Sequence, residues 1–432
     1  MIQKTFIRTL FLSFILLSCS KNTAIEIFTP TQSKPNILLI IADDFGLDVS
    51  PGYNLGTIKP TMPNLENMIS TGVRFNNVWS NPTCSPTRSS IITGKYGFRT
   101  GVLKVGDELS TTETSIQKYL DANLGASYSH AVIGKWHLST DTNHPTNMGV
   151  NYYAGLLTGA VASYWDWNLT ENSQTSNSTE YSTTKITDLA VDWVENQTKP
   201  WFLWVAYNAP HTPFHLPPNN LHSQGLLPTD QASIDANPLP YYIAMVEAMD
   251  SEMGRLISSL SQEEKDNTVI IFIGDNGTPQ QVAQEYNPIR TKGTIYQGGI
   301  NVPMIISGKD VNRFNATEDA LINTTDLFAT ISNIAGVEIS EINDSQNFKE
   351  LLSDSNSSKR DYIYAEASNL DYTIRNNTHK YIHFEDGTEK FYNLSTDPLE
   401  IINLMHPNQL PLNNSNELIK NELILKLNEI RK

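Results

Sequence analysis

The chain has 432 residues, with 30 Lys and Arg against 46 Asp and Glu, so its formal charge is −16. That excludes nucleic acid as a partner, because holding phosphates needs a basic face. Its 39% hydrophobic and 18% charged residues exclude a disordered chain, and the length allows one large α/β domain with a smaller one.

The N-terminus is built for export. Lys4 and Arg8 precede an apolar run from Leu10 to Leu17, and Ser18-Cys19 follow. Basic, apolar and small residues in that order mark a secretory signal. The run is too short for a bilayer, which takes about 20 residues. Leu16-Leu17-Ser18-Cys19 is similar to a bacterial lipoprotein box, with Cys19 lipidated as the first mature residue. The alternative is a simple signal peptide. Residues 1–19 are read as signal and the polar stretch 20–33 as a tether. The expected location is the periplasm or cell surface, with the membrane touched only through a lipid anchor.

Four apolar runs then have strand character, and each ends in polar, reactive residues. Asn36 to Ala42 runs into Asp43-Asp44, and Ala131 to Ile133 into Gly134-Lys135-Trp136-His137. Trp201 to Tyr207 runs into Asn208-Ala-Pro-His211, and Thr268 to Ile273 into Gly274-Asp275-Asn276-Gly277. Unbroken apolar runs suit strands buried on both faces, as in a parallel sheet covered by helices. Helical patterns lie between them, at Met62 to Thr71, Ser115 to Asn123, Thr184 to Asn196, Tyr241 to Leu260 and Thr325 to Ile334. The alternation predicts an α/β fold. In such sheets a site lies beyond the carboxyl ends of the strands, where the four polar clusters fall.

From Asp361 the pattern changes to short alternating segments with turns at Asn376-Asn377 and Asp386-Gly387. They predict a small antiparallel sheet, closed by a helix over about Ser415 to Arg431 with Ser415 as N-cap. The expected division is a catalytic domain over 34–350 and a C-terminal subdomain over 351–432.

The clusters carry chemistry. Asp43, Asp44, Asp275 and Asn276 offer oxygen donors and neither imidazole nor thiolate, which suits Ca²⁺ or Mg²⁺ over zinc. Each pair also reads as ordinary turn residues after a strand. Lys135 and His137 are two apart, so on extended chain they point to one side and Trp136 to the other. With His211 and Lys292 they would form an anion cradle beside the metal.

Cys84 is the one cysteine outside the N-terminal segment, in Asn81-Pro-Thr-Cys-Ser-Pro-Thr-Arg88. The polar, turn-like surroundings argue against a buried core cysteine. Pro86 suits a first helical turn, so Cys84 would sit at a helix N-terminus that favours an anion, with Arg88 one turn on.

Pro82-Thr-Cys-Ser-Pro-Thr-Arg-Ser-Ser-Ile-Ile-Thr-Gly94 resembles the type I sulfatase signature, Cys-x-Pro-x-Arg followed by two apolar residues and Thr-Gly. Six further blocks match in family order: Asp43-Asp44, Ala131 to His137, Pro210-His211, Gly274 to Gly277, Lys292-Gly293 and Tyr392 to Glu400. The resemblance implies the alkaline phosphatase superfamily fold: a mixed, mostly parallel sheet between helices, with a small C-terminal antiparallel sheet and helix. It implies that a maturation enzyme converts Cys84 to Cα-formylglycine, whose hydrate attacks sulfur and then expels sulfate to regenerate the aldehyde. It implies Ca²⁺, in preference to Mg²⁺, on Asp43, Asp44, Asp275, Asn276 and the modified Cys84. Arg88 would hold the hydrate. Lys135 and Lys292 would neutralise the sulfate oxygens, His211 would protonate the leaving alcohol, and His137 would assist turnover of the covalent intermediate.

The expected substrate is a sulfated carbohydrate, with Trp165 and Trp167 of the Tyr164-Trp-Asp-Trp167 loop as stacking surfaces or as plain packing. Arg290, His144 and His215 are further candidates for sugar contacts. After Lys292 the family pattern has Glu and Arg where this chain has Gln297 and Asn301. Two other readings remain at this stage: a phosphate or phosphonate ester hydrolase of the same superfamily, and a non-catalytic glycan-binding lipoprotein.

Overall fold

Strand β1, Asn36–Ala42, is buried along its whole length. Ile37, Leu39 and Ile41 enter one apolar cluster, and Leu38, Ile40 and Ala42 enter another. Alternate residues of any strand point to opposite faces. Both sets are apolar here because both faces of the sheet are covered.

The computed structural model describes residues 34–357, 360–367 and 370–432. The proposed signal, the tether and Cys19 lie outside them. The other strands of the main sheet are β2 (Gly72–Trp79), β3 (Ser129–Gly134), β4 (Tyr152–Gly155), β5 (Trp167–Glu171), β6 (Gln174–Ser178), β7 (Trp201–Ala206), β8 (Thr268–Gly274), β9 (Met304–Gly308) and β10 (Ala316–Asn323). They lie in the order β10-β2-β9-β8-β1-β7-β3-β4-β5-β6. Strands β8, β1, β7 and β3 are parallel neighbours. The four strands read from sequence are therefore adjacent, and their carboxyl ends share one edge. β9 runs antiparallel between β8 and β2.

Helices Pro63–Thr71, Ser182–Glu195 and Leu239–Ser259 cover one face, and Ile116–Leu124 and Asp326–Ile334 cover the other. Ser115 caps its helix by accepting from the Lys118 backbone N–H, as such a residue does at an N-cap.

The C-terminal sheet has four antiparallel strands in sequence order: β11 (Ile363–Glu366), β12 (Tyr372–Arg375), β13 (His379–His383) and β14 (Glu389–Asn393). The closing helix, Asn414–Ile430, buries Leu423 and Leu427 against Ile374, Tyr381 and Phe391. Its cap is Asn413, whose side chain accepts from the Asn416 N–H. Ser415 lies inside the first turn, so the expectation for the cap is corrected by two residues.

Phe272 of β8 is fully buried and meets Phe45 edge-on, with centroids 5.7 Å apart. Phe272→Ala removes that packing beside the site and should cost about 3–5 kcal/mol, read as a lower urea midpoint at unchanged slope.

Candidate active site

The shared edge of β8, β1, β7 and β3 gathers the site. Asp43 and Asp44 follow β1, Asp275 and Asn276 follow β8, and Lys135 and His137 follow β3. Backbone bonds lock these ends together: Asp275 N–H to Ala42 O at 3.0 Å, Lys135 N–H to Ala206 O at 2.8 Å, and Asp43 N–H to Ala209 O at 3.1 Å. Asp44 has φ +67°, a left-handed conformation that aspartate tolerates better than most residues. Its N–H donates to Asp275 Oδ1 at 3.0 Å.

Three carboxylates meet three cations. Lys135 Nζ lies 2.5 Å from Asp43 Oδ2, Lys292 Nζ 2.6 Å from Asp44 Oδ2, and an Arg88 guanidinium nitrogen 2.8 Å from Asp275 Oδ2. Burial alone would raise the Asp43 carboxyl, but the charges of Lys135, His211 and Arg88 outweigh it and hold Asp43 well below the usual range. Asp275 goes the other way, up to about 7, through burial and the neighbouring Asp43 charge. Most side chains of the cluster are fully buried, whereas those of Lys292 and His211 are 23% and 15% exposed. The opening of the site is therefore on the side of those two.

The donors fit a hard divalent cation. Asn276 Nδ2 donates to Asp44 Oδ1 at 2.8 Å, while its Oδ1 is buried without a donor, as is Asp43 Oδ1. Buried oxygens without donors demand an explanation, and oxygen ligands of this kind suit such an ion. Ligand atoms of Asp43, Cys84 and Asp275 lie within 4.8 Å of one another, as do those of Asp43, Asp44 and His211.

Cys84 is the first residue of the Cys84–Thr93 helix, with Thr83 as an extended N-cap. It is 2% exposed, which corrects the expectation drawn from its polar neighbours. Those neighbours are buried too, along the whole helix. The thiol lies among charges, and burial pushes its pKa up to about 12 against the pull of Lys135. Arg88 donates to Lys135 O at 2.9 Å and so ties this helix to the end of β3.

The two candidate imidazoles differ. His137 has φ +55°, and its Nδ1 is buried without a partner. Burial, helped by the Lys135 and Arg88 charges, lowers it to about 3. Gly159 sits so close that a Cβ there would fall 2.3 Å from the His137 ring. His211 Nε2 lies 3.8 Å from Asp44 Oδ2 at the rim. Its loop is held by Tyr164, whose hydroxyl is 2.7 Å from the carbonyl oxygens of both Asn208 and His211. Sequence reasoning named Tyr164 in its aromatic loop but gave a role only to Trp165 and Trp167.

The remaining candidates lie apart from the carboxylates. Trp165 is 38% exposed and packs on Tyr181 and His215 with centroids 5.0 Å away. Trp167 is buried and donates to Glu180 O at 3.0 Å, along a cavity it shares with Thr158 and Asn177. His144 is buried between Trp136 Nε1 and Leu109 O, at 3.1 and 2.7 Å, which suits packing and not a sugar contact. His215 bonds the Tyr181 hydroxyl at 3.1 Å. Arg290 turns to Glu400 O and the Tyr296 ring. Gln297 accepts from Trp79 Nε1 at 2.9 Å and Asn301 from the Val78 N–H at 3.0 Å.

The Sulfatase family model matches residues 35–337, and that of the N-sulphoglucosamine sulphohydrolase C-terminal region matches 289–432. The chain is 27% identical over 380 residues to the uncharacterized sulfatase YdeN of Escherichia coli (strain K12), covering 74% of this chain and 66% of that one. It is 25% identical over 449 residues to an ulvan-active sulfatase of Formosa agariphila, covering 97% of this chain and 85% of that one. The crystal structure of Ps i-CgsB with k-i-k-neocarrahexaose superposes with a TM-score of 0.78 at 25% identity, over 92% of each chain. The family match takes in the carboxylates, the Cys84 helix, both histidines and Lys292, and the chain belongs to the sulfatase family.

Proposed function

We propose that the protein hydrolyses sulfate esters of a carbohydrate, through a formylglycine made from Cys84. One observation carries this reading. The sole cysteine among the described residues starts a buried helix beside three carboxylates and three cations. The names of the relatives support a sulfated polysaccharide or a fragment of one as substrate.

The residues divide the work. Asp43, Asp44, Asp275 and Asn276 would hold a divalent cation, Ca²⁺ in our reading, which when bound supplies Lewis acidity at the sulfate. Lys135 and Lys292 balance the anionic oxygens, and fixed charges in a water-poor site stabilise charge that develops there. His211, at the open rim, is placed to give a proton to the leaving alcohol. His137, kept neutral by its surroundings, would assist turnover of the covalent intermediate. Trp165 offers an exposed ring packed on His215. Export through residues 1–19, with a lipid on Cys19, is part of the same proposal.

Cys84 is closed off in the folded chain, so its conversion by the maturation enzyme belongs before folding is complete. In unconverted protein, burial both closes the thiol off and disfavours its thiolate. Native protein should resist iodoacetamide at pH 8 and be alkylated at Cys84 in urea.

Lys292→Ala should lower kcat/KM on a sulfate ester by about 10²–10³ without loss of the folded circular-dichroism spectrum. Chelation should lower both activity and Tm, with Ca²⁺ restoring both.

The deciding experiment is peptide mass spectrometry across Cys84, on protein from a host with the maturation system, joined to sulfate release from sulfated oligosaccharides. Formylglycine with sulfate release is expected. An unmodified Cys84 in a protein that still releases sulfate would overturn the mechanism, and no release from any ester by converted protein would overturn the activity.

A further inference from the structure

The chain is strongly acidic, yet one cavity gathers arginines and no acid. It holds about 300 Å³ and is lined by Arg74 of β2 and Arg375 of β12, with Asn76, Asn77, Gln297 and Asn301 in its wall. No Asp or Glu lines it, and neither do Cys84, Lys135 or Lys292 of the reaction centre.

Arg375 is 4% exposed. It donates to Asn77 Oδ1 at 3.0 Å and to the carbonyls of Asn376 and Asn377 at 2.9 and 3.2 Å. Those bonds use three of the five N–H groups a guanidinium offers. No carboxylate bonds it among the described residues. The acid whose charge it feels, Glu400, is taken by Lys380 at 2.7 Å. Burial draws Arg375 down to about 10, and Glu400 offsets only part of that.

Arg74, across the cavity, is half-buried and also has no carboxylate bonded to it among the described residues. It donates to Gly52 O and Thr317 Oγ1, lies over the Tyr53 ring at 5.3 Å, and has its Nε buried without an acceptor. A buried charge without a counter-charge is costly, and such groups are held for a partner or a ligand. Gln297, where the family pattern has Glu, leaves the wall an amide in place of a carboxylate.

We propose that this cavity is a second anion site, taking a sulfate or carboxylate group either free or carried on an acidic saccharide. Guanidinium groups suit both oxyanions, and the amides of the wall suit the hydroxyls beside such a group. The saccharide arm rests on the sulfatase reading above; the free-ion arm does not.

Isothermal titration of the full chain with sodium sulfate, and separately with a sulfated disaccharide, tests this in the wild type, Arg74→Gln and Arg375→Gln. Turnover of a small aryl sulfate is followed alongside. The wild type should show binding beyond the reaction centre, and each variant should weaken that second event by about tenfold or more with kcat unchanged. Loss seen with both probes assigns the site to the ion itself, and loss with the disaccharide alone assigns it to a saccharide-borne group. Arg74 is half-buried, so Arg74→Gln decides the matter if Arg375→Gln does not melt cooperatively. Unchanged titrations of Arg74→Gln with both probes would overturn the site. A wild type that keeps the second binding event but turns over no sulfate ester would sink the sulfatase reading and leave the anion site standing.

Discussion

The structure turns on the pairing of three buried carboxylates with three cations at one edge of a sheet. Asp43, Asp44 and Asp275 have nowhere else to put their charge, because the strands that deliver them are apolar on both faces. Each finds its own counter-charge, from β3, from the loop after β8, or from the Cys84–Thr93 helix. In the two fully buried pairs, Lys135–Asp43 and Arg88–Asp275, removing one member strands the other, at about 3–5 kcal/mol. That cost fixes the helix against β3, the order of strands at the edge, and the place of Cys84 between them. A chain of formal charge −16 can hold an anion at such a spot only if it brings cations there in register.

Much of this was legible in the sequence. An unbroken apolar run has one easy explanation, a strand covered on both faces, and β1, β3, β7 and β8 follow from it within a residue or two. Their polar ends then had to share an edge. β2 and β10 were not legible, because Arg74, Asn76, Asn77 and Glu318 break the apolar pattern. Asn76 and Asn77 meet partners 243 and 242 residues away, at Asp319, and Glu318 pairs with Arg313 across a turn. Cys84 misled for the same reason. Its polar neighbours suggest a surface turn, and only charges from distant segments make their burial tolerable. The bonding of Tyr164 was not legible, since a hydroxyl that reaches backbone carbonyls of a distant loop has no sequence pattern of its own.

The two arginine-bearing regions differ in electrostatic kind. In the carboxylate cluster Arg88, Lys135 and Lys292 are each paired with an aspartate, so an incoming anion must share them with a carboxylate. In the cavity beside β12 the guanidiniums hydrogen-bond, among the described residues, to neutral groups. The first arrangement is tight and preorganised. The second answers an anion without rearranging any carboxylate.

The sheet order also bears on how the chain is made. Asp44 and Asp275 are 231 residues apart, and β8 is the strand that sits directly beside β1. At about 5–20 residues per second, β1 emerges from the ribosome roughly 10–50 s before its neighbour. Through that interval β1 has an open, apolar edge, which is a template for wrong pairing. The middle of this sheet thus closes late in synthesis, with only β9 and β10 still to be added beyond β8, and until β8 has paired the first strand needs shielding of the kind a holding chaperone gives.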